Sequence, residues 1–288
     1  MTFAADTPVP HQQLDRYLRS GIRHVSGWLD SRSAEIIATL GLYQPSAETQ
    51  GSVGEIGVHH GKLFILLDLL RRPGEKSFAV DLFDLQQENV DNSGFGDLRR
   101  FSENLERYSR GPQSVVMFQR NSIGLRPDEL LSACGPVRLL SVDGGHTADC
   151  TLNDLRIADA ILTERGIVVV DDYFNPMWPD VSVGVGQYAL DSSSRLRPFA
   201  IAPNKLFLAR PEWHDEYRAV LKGQRGRYYL KSSTMFGHEV DIFGYSASTS
   251  RRRNIVNSIK RSAIGPFATE LYRRYRSARQ EPVAKEMR

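Results

Sequence analysis

The chain has 288 residues, 41% of them apolar and 25% charged, with two cysteines and a formal net charge of +3. That length fits one sizeable α/β domain with decorations, and the composition excludes a disordered, collagenous or disulfide-stapled chain. No run reaches the ~18 apolar residues of a membrane span.

The opening Met1-Thr2-Phe3-Ala4-Ala5-Asp6 lacks a basic segment followed by an apolar one, so no secretory leader is expected and Cys134 and Cys150 read as thiols of a reducing cytoplasm. The charge is uneven. Residues 251–288 hold eleven Lys or Arg against three Glu, a net +8, which leaves −5 for the remainder.

In chain order, residues 10–43 predict two helices, from apolar positions Leu14, Leu18, Ile22 and Val25 and then Ile36, Ile37 and Leu40. Residues 52–58 predict a first buried strand, and a helix over 63–70 follows, closed by Pro73-Gly74. A second strand over 77–80 ends at Asp81, the polar stretch 86–96 is a loop, and 98–108 is helical. Third and fourth strands are expected at 115–118 and 137–142, with a short helix at 128–133 between them. The fourth runs into Asp143-Gly144-Gly145-His146. A helix over 152–162 ends at Gly166, and the β-branched run 167–170 is a fifth strand finishing in Asp171-Asp172. Residues 199–202 and 206–209 flank Pro203-Asn204-Lys205 as a closing hairpin. The expected fold is therefore a Rossmann-like, doubly wound α/β sheet with a terminal antiparallel hairpin, N-terminal helices and a basic C-terminal helical tail. The expected divisions are 1–48, 49–212 and 213–288.

Ligands of open α/β sheets bind beyond the carboxyl ends of the strands, and nearly every strand here ends in an acid or a small polar residue. In the first turn, Glu55-Ile56-Gly57-Val58-His59-His60-Gly61, only Gly57 and Gly61 are glycine. The dinucleotide fingerprint needs three glycines so that backbone N–H groups can approach a pyrophosphate. Val58-His59-His60 would crowd one. S-adenosylmethionine has no phosphate and needs room for its amino-acid end and an acid near its amine, which Glu55 could supply. A ligand-free strand–helix turn fits this segment equally well. Asp81 lies 20 residues past Gly61, near the ~20 expected of a ribose-binding acid. Its two oxygens suit two ribose hydroxyls, and Asn121, Ser122 and Asp143 join it as candidates at neighbouring strand ends.

Glu55-Ile56-Gly57 with Gly61, Val80-Asp81, Val142-Asp143-Gly144-Gly145-His146 and Val170-Asp171-Asp172-Tyr173 together resemble class I S-adenosylmethionine-dependent methyltransferases. The branch they resemble contains the macrolide-sugar O-methyltransferases of the macrocin and mycinamicin type. The likeness covers roughly residues 50–210, and the first turn departs from it in lacking the fuller glycine pattern. It implies a metal site, Mg²⁺ or Mn²⁺, at Asp143, Asp171 and Asp172, with His146 as the base.

The residues bear on this separately. Adjacent strand ends lie ~5 Å apart, so three carboxylates there repel one another unless a cation joins them. The alternative is that Asp171 caps the following turn while Asp172 is solvated. Histidine, with a reference pKa of about 6.5, can take a hydroxyl proton near neutrality. Rival readings are a nicotinamide-dependent oxidoreductase and a non-catalytic or membrane-associated scaffold.

The loop 86–94 is either a lid or substrate loop, or ordinary surface. Residues 173–179 form either an apolar acceptor wall or packing beneath the sheet. His59 and His60 read as helix-start residues, and Lys205 as a turn residue. On the tail, Phe267, Leu271 and Tyr275 recur every four residues beside Arg273, Arg274, Arg276 and Arg279. Such a helix could dock on the body or a sister subunit, or lie peripherally on an anionic membrane. The expected partner is a small-molecule or glycan hydroxyl acceptor rather than nucleic acid.

Overall fold

The computed structural model describes residues 11–44 and 50–244, and the basic helix expected on the tail lies outside them. The described residues form eight α-helices and nine strands: α1 His11–Arg19, α2 Ser31–Tyr43, β1 Ser52–Ile56, α3 Lys62–Leu69, β2 Ser77–Asp81, α4 Leu98–Tyr108, β3 Val115–Gln119, α5 Pro127–Cys134, β4 Val137–Val142, α6 Ala148–Ile161, β5 Leu162–Asp171, α7 Pro179–Leu190, β6 Arg197–Ala202, β7 Lys205–Ala209, α8 His214–Arg225, β8 Tyr229–Met235 and β9 His238–Phe243.

The strands make one sheet of order β3-β2-β1-β4-β5-β7-β6-β9-β8. The first five are parallel. β7 runs antiparallel between β5 and β6 as the expected hairpin. This is a Rossmann-like α/β fold in which the strand order reverses between β1 and β4, the place where such sheets open a crevice.

Alternate residues of each strand feed two separate cores. In β5, Ile167 and Val169 join one cluster with α2 and α3, while Val168 and Val170 join another with α6 and α7. Burial on both faces explains why these strands read as unbroken apolar runs rather than alternating ones. Helix α3 is apolar nearly all round, and Leu63 through Leu67 are buried, each worth roughly 1.5–3 kcal/mol when removed from water. Sharp starts come from caps. Asp97 accepts from the Arg100 amide at 2.8 Å and Asp30 from the Arg32 amide at 2.9 Å.

Two features differ from expectation. Helix α6 stops at Ile161 and β5 begins at once, so Gly166 does not end the helix. It lies where the pairing of β5 with β4 slips, from Leu162 opposite Val137 to Ile167 opposite Leu139; a glycine relieves crowding against Leu162, whose Cγ would stand 2.3 Å from an added Cβ. The sheet also continues past residue 212 through β9 and β8, joined to β6 by parallel pairing of β9. Among the described residues no helix is long and apolar enough to cross a membrane, and Cys134 and Cys150 are buried free thiols.

Candidate functional site

Three neighbouring strand ends are stitched into one floor. The Gly57 amide donates to the Val80 carbonyl at 2.8 Å, and the Asp143 amide to the Ile56 carbonyl at 2.7 Å. Gly57 has φ +83°, and an added Cβ would stand 1.7 Å from the Asp143 carbonyl oxygen. Only glycine permits both the conformation and the approach. Gly61, at φ +87°, opens α3 directly after.

Asp81 serves this turn. Its Oδ2 accepts from the amides of Val58 at 2.6 Å and His59 at 2.7 Å, and its Oδ1 from the Phe83 amide at 2.6 Å. Burial pushes its carboxyl up, against the pull of those three amides. Most of its acceptor capacity is therefore spent on fixing the loop, so the ribose-binding role expected of both oxygens would fall to the remaining lone pairs. Glu55 is fully buried at the adjoining strand. Burial, then repulsion from Asp143, raise its carboxyl well above the usual range, and Lys205 opposes them. Its Oε2 has no hydrogen-bond partner among the described residues, an orphan acceptor beside the cleft that fits a cationic group. At the end of β3, the Asn121 side chain accepts from the Ile123 amide at 2.9 Å, and Ser122 is buried with its carbonyl on Asn153 at 3.1 Å.

On the other side of the floor, ligand atoms of Asp143, His146 and Asp172 all lie within 4.8 Å of one another. His146 Nε2 is 3.1 Å from Asp172 Oδ2 and 3.8 Å from Asp143 Oδ1. Two carboxylates and an imidazole form a donor set that suits Mg²⁺, Mn²⁺ or a similar divalent ion. Asp171, expected as a third carboxylate of that set, is turned away. Its Oδ2 pairs with the buried Lys205 ammonium, and its Oδ1 accepts from Asn204 Nδ2 at 2.7 Å. The cause is register: β7 sets Lys205 directly opposite Asp171. Lys205 is thus a buried counter-ion rather than a turn residue. Asn204 Nδ2 also reaches Asp172 Oδ1, at 2.6 Å, and Asn175 Nδ2 reaches the same oxygen at 2.7 Å. These amides hold Asp172 in a left-handed conformation at φ 59°.

His146 stands among acids. Burial alone would lower its pKa, but Asp143, Asp172 and Asp91 overcome that and push it up to about 11. The three acids thus favour the charged imidazolium. Hydrogen bonds from His146, Asn175 and Asn204 draw Asp172 down to about 2 against its burial. The indole of Trp178 stacks on the ring at 4.4 Å and 20°.

One cleft of about 450 Å³ takes in both halves: Glu55, Gly57 and Asp81 with Asn121 and Ser122, and Asp143, His146 and Asp172 with Trp178. Asp171 reaches its wall, whereas Gly61 lies behind it at the start of α3. The loop 86–94 closes a side. His59 also lines it, 5.6 Å from Trp28, and burial holds its pKa down. Sequence reasoning missed Asp91, Ser93, Asn175 and Asn204. None carries a local signal, because each acts through a contact made only in the folded chain.

Residues 55–173 match the family of the methyltransferase domain. No curated protein matches the chain. Among solved structures, the O-methyltransferase NovP superposes with a TM-score of 0.52 at 20% identity, over 62% of this chain and 80% of that one. A calicheamicin methyltransferase gives 0.46 at 17%, over 72% and 95%. An O-methyltransferase from Bacillus cereus in complex with SAH gives 0.49 at 10%, over 68% and 89%. The segment that builds most of the cleft thus matches a methyltransferase domain model, and the Rossmann-like sheet that carries it has the fold of a solved O-methyltransferase.

Proposed function

We propose that this protein is an S-adenosylmethionine-dependent O-methyltransferase, assisted by a divalent metal ion, acting on a hydroxyl of a sugar or other small-molecule or glycan acceptor. One observation carries the reading: a single cleft joins an orphaned buried acid and a glycine turn to a compact Asp–His–Asp cluster. The methyltransferase-domain match over 55–173 supports it.

In this reading Glu55 receives the cofactor's amine, and the turn held by Asp81 shapes the wall beside its nucleoside. Asn121 and Ser122 border that same region, and Gly57 and Gly61 give the backbone its path. The bulky Val58-His59-His60 leaves no nest for a pyrophosphate, which favours a sulfonium nucleoside over a dinucleotide. Asp143 and Asp172 would hold the metal, whose contribution is Lewis acidity toward the acceptor hydroxyl, and His146 would stand beside it as the base. Asp171 supports Asp172 from below instead of ligating.

The acids around His146 need one cation. In the metal-free chain the imidazolium supplies it; with a dication among the same carboxylates, the reason for keeping that proton weakens, and His146 Nε2 becomes able to hold the proton of the acceptor hydroxyl. Trp178 and the loop 86–94 shield this end of the cleft from water.

Calorimetry on the full chain with S-adenosylhomocysteine and with NAD, in the presence and absence of Mg²⁺, tests the assignment. Binding of S-adenosylhomocysteine alone is expected. Binding of NAD in its place would overturn it.

A further inference from the structure

We propose that Asp91, on the loop between β2 and α4, is a positioning residue for His146 that keeps ring Nε2, rather than a ring carbon, facing Asp143 and Asp172. The inference rests on the reading of His146 as a working residue of the transfer, and it adds a residue from a loop outside the strand-end motifs.

The geometry is specific. Asp91 Oδ2 accepts from the His146 backbone amide at 2.8 Å and lies 2.7 Å from His146 Nδ1. Its Oδ1 accepts from the Ser93 amide at 2.9 Å and the Ser93 hydroxyl at 2.6 Å. Ser93 Oγ in turn sits 3.0 Å from Nδ1. Both side chains are largely shielded, Asp91 at 9% exposure and His146 at 13%, so this contact is not a screened surface pair.

A loop anchor would need only the bond to the backbone amide. The second contact, to the ring, has a separate effect. The Trp178 stack at 4.4 Å fixes the plane of the imidazole but not its sense within that plane. A half-turn about Cβ–Cγ keeps the stack and exchanges Nδ1 and Nε2 for carbon atoms. Asp91 removes that freedom, because only one of the two orientations offers it an N–H. With Nδ1 committed to Asp91, Nε2 is the nitrogen at 3.1 Å from Asp172. The loop is also tied internally: Asn89 Nδ2 donates to the Ser93 carbonyl at 2.6 Å, making residues 89–93 a compact strap that carries Asp91.

The test uses the full chain labelled with ¹⁵N-histidine, with the resonances of His146 assigned by His146→Gln. Wild type is expected to show a downfield, slowly exchanging proton on His146 Nδ1. Asp91→Ala should lose it, leaving the other histidine signals in place. Asp91→Asn, which keeps one acceptor oxygen without the charge, should retain it at a less downfield position. If Asp91→Ala does not fold, Asp91→Asn and Ser93→Ala carry the comparison, Ser93→Ala being expected to keep the resonance. A His146 Nδ1 signal identical to wild type in the folded Asp91 variants would overturn the proposal. Affinity for S-adenosylhomocysteine, measured on the same samples, should be unchanged in the Asp91 variants. Its absence in wild type would count against the methyltransferase reading, while the nitrogen spectra would still judge Asp91.

Discussion

Asp171 and Lys205 form a buried ion pair directly beneath the cleft, set opposite each other by the pairing of β5 with β7. The pair lies next to Glu55, whose carboxyl is raised by burial and by Asp143 while the Lys205 charge opposes them. Removing the cation should therefore be felt by two acids. Lys205→Met is expected to lower stability by about 3–5 kcal/mol, the cost of stranding a buried charge. Urea denaturation near neutral pH measures it, and Lys205→Met combined with Asp171→Asn should recover part of the loss.

The contrast between Asp171 and Asp172 gives a second expectation. Asp172→Ala should abolish binding of Mn²⁺, read by electron paramagnetic resonance, because its Oδ2 belongs to the ligand cluster. Asp171→Asn should reduce stability more than ion affinity. Chelation should stop methyl transfer, and Mg²⁺ or Mn²⁺ should restore it. Equal loss of ion binding in both variants would put Asp171 back among the ligands.

Asp81→Ala should weaken S-adenosylhomocysteine binding by about 1.5–3 kcal/mol, the range for hydrogen bonds to a charged group. The three amides that Asp81 now accepts from would also lose their partner, so the melting temperature should fall alongside. Calorimetry and thermal unfolding on one preparation separate the two effects, and an unchanged dissociation constant would remove Asp81 from the cofactor site.

His146→Ala is expected to leave cofactor affinity nearly intact and to lower the chemical step by ~10²–10⁴-fold. Single-turnover rates are the proper measure, since slow product release can mask the defect.

Asp154 sets a pH dependence away from the ligand cluster. Burial raises its carboxyl from 3.8 to about 6, against hydrogen bonds from Ser122 and Asn153. Between those two values the folded chain keeps a proton that the unfolded chain releases, so stability falls as pH rises from about 4 to 6 and then levels. Asp154→Asn should remove that slope and gain roughly 2–3 kcal/mol on wild type between pH 4 and pH 7, by the exchange rate of 1.36 kcal/mol per pH unit. Parallel slopes for the two proteins would show that Asp154 does not titrate in this range.

Much of this molecule was legible before it was folded. The helix 98–108 came out to the residue because Asp97 caps it and its apolar face repeats cleanly. The strands β1 to β5 stood out as apolar runs ending in acids. What escaped depends on partners distant in sequence. Lys205 reads as a turn residue until β7 is known to lie against β5. Asp91 sits in a polar loop without periodicity, 55 residues from the histidine it meets. β8 has no buried residue, and β9 buries only Val240, Asp241 and Phe243, so both lack the apolar density of a central strand. Gly166 looked like a helix end because glycine serves both there and in a slipped strand.

The contact of Gly57 with the Asp143 carbonyl marks a seam. On one side, β1, β2 and β3 present the acids and amides assigned to the nucleoside. On the other, β4 and β5 present the charged cluster assigned to the acceptor. On the proposed function, substitutions within either side would change one recognition task and spare the other, leaving acceptor preference free to drift while the nucleoside grip stays fixed. At the seam that independence ends: a methyl group on residue 57 would press both halves apart at once, making this position the least tolerant of exchange in the whole floor.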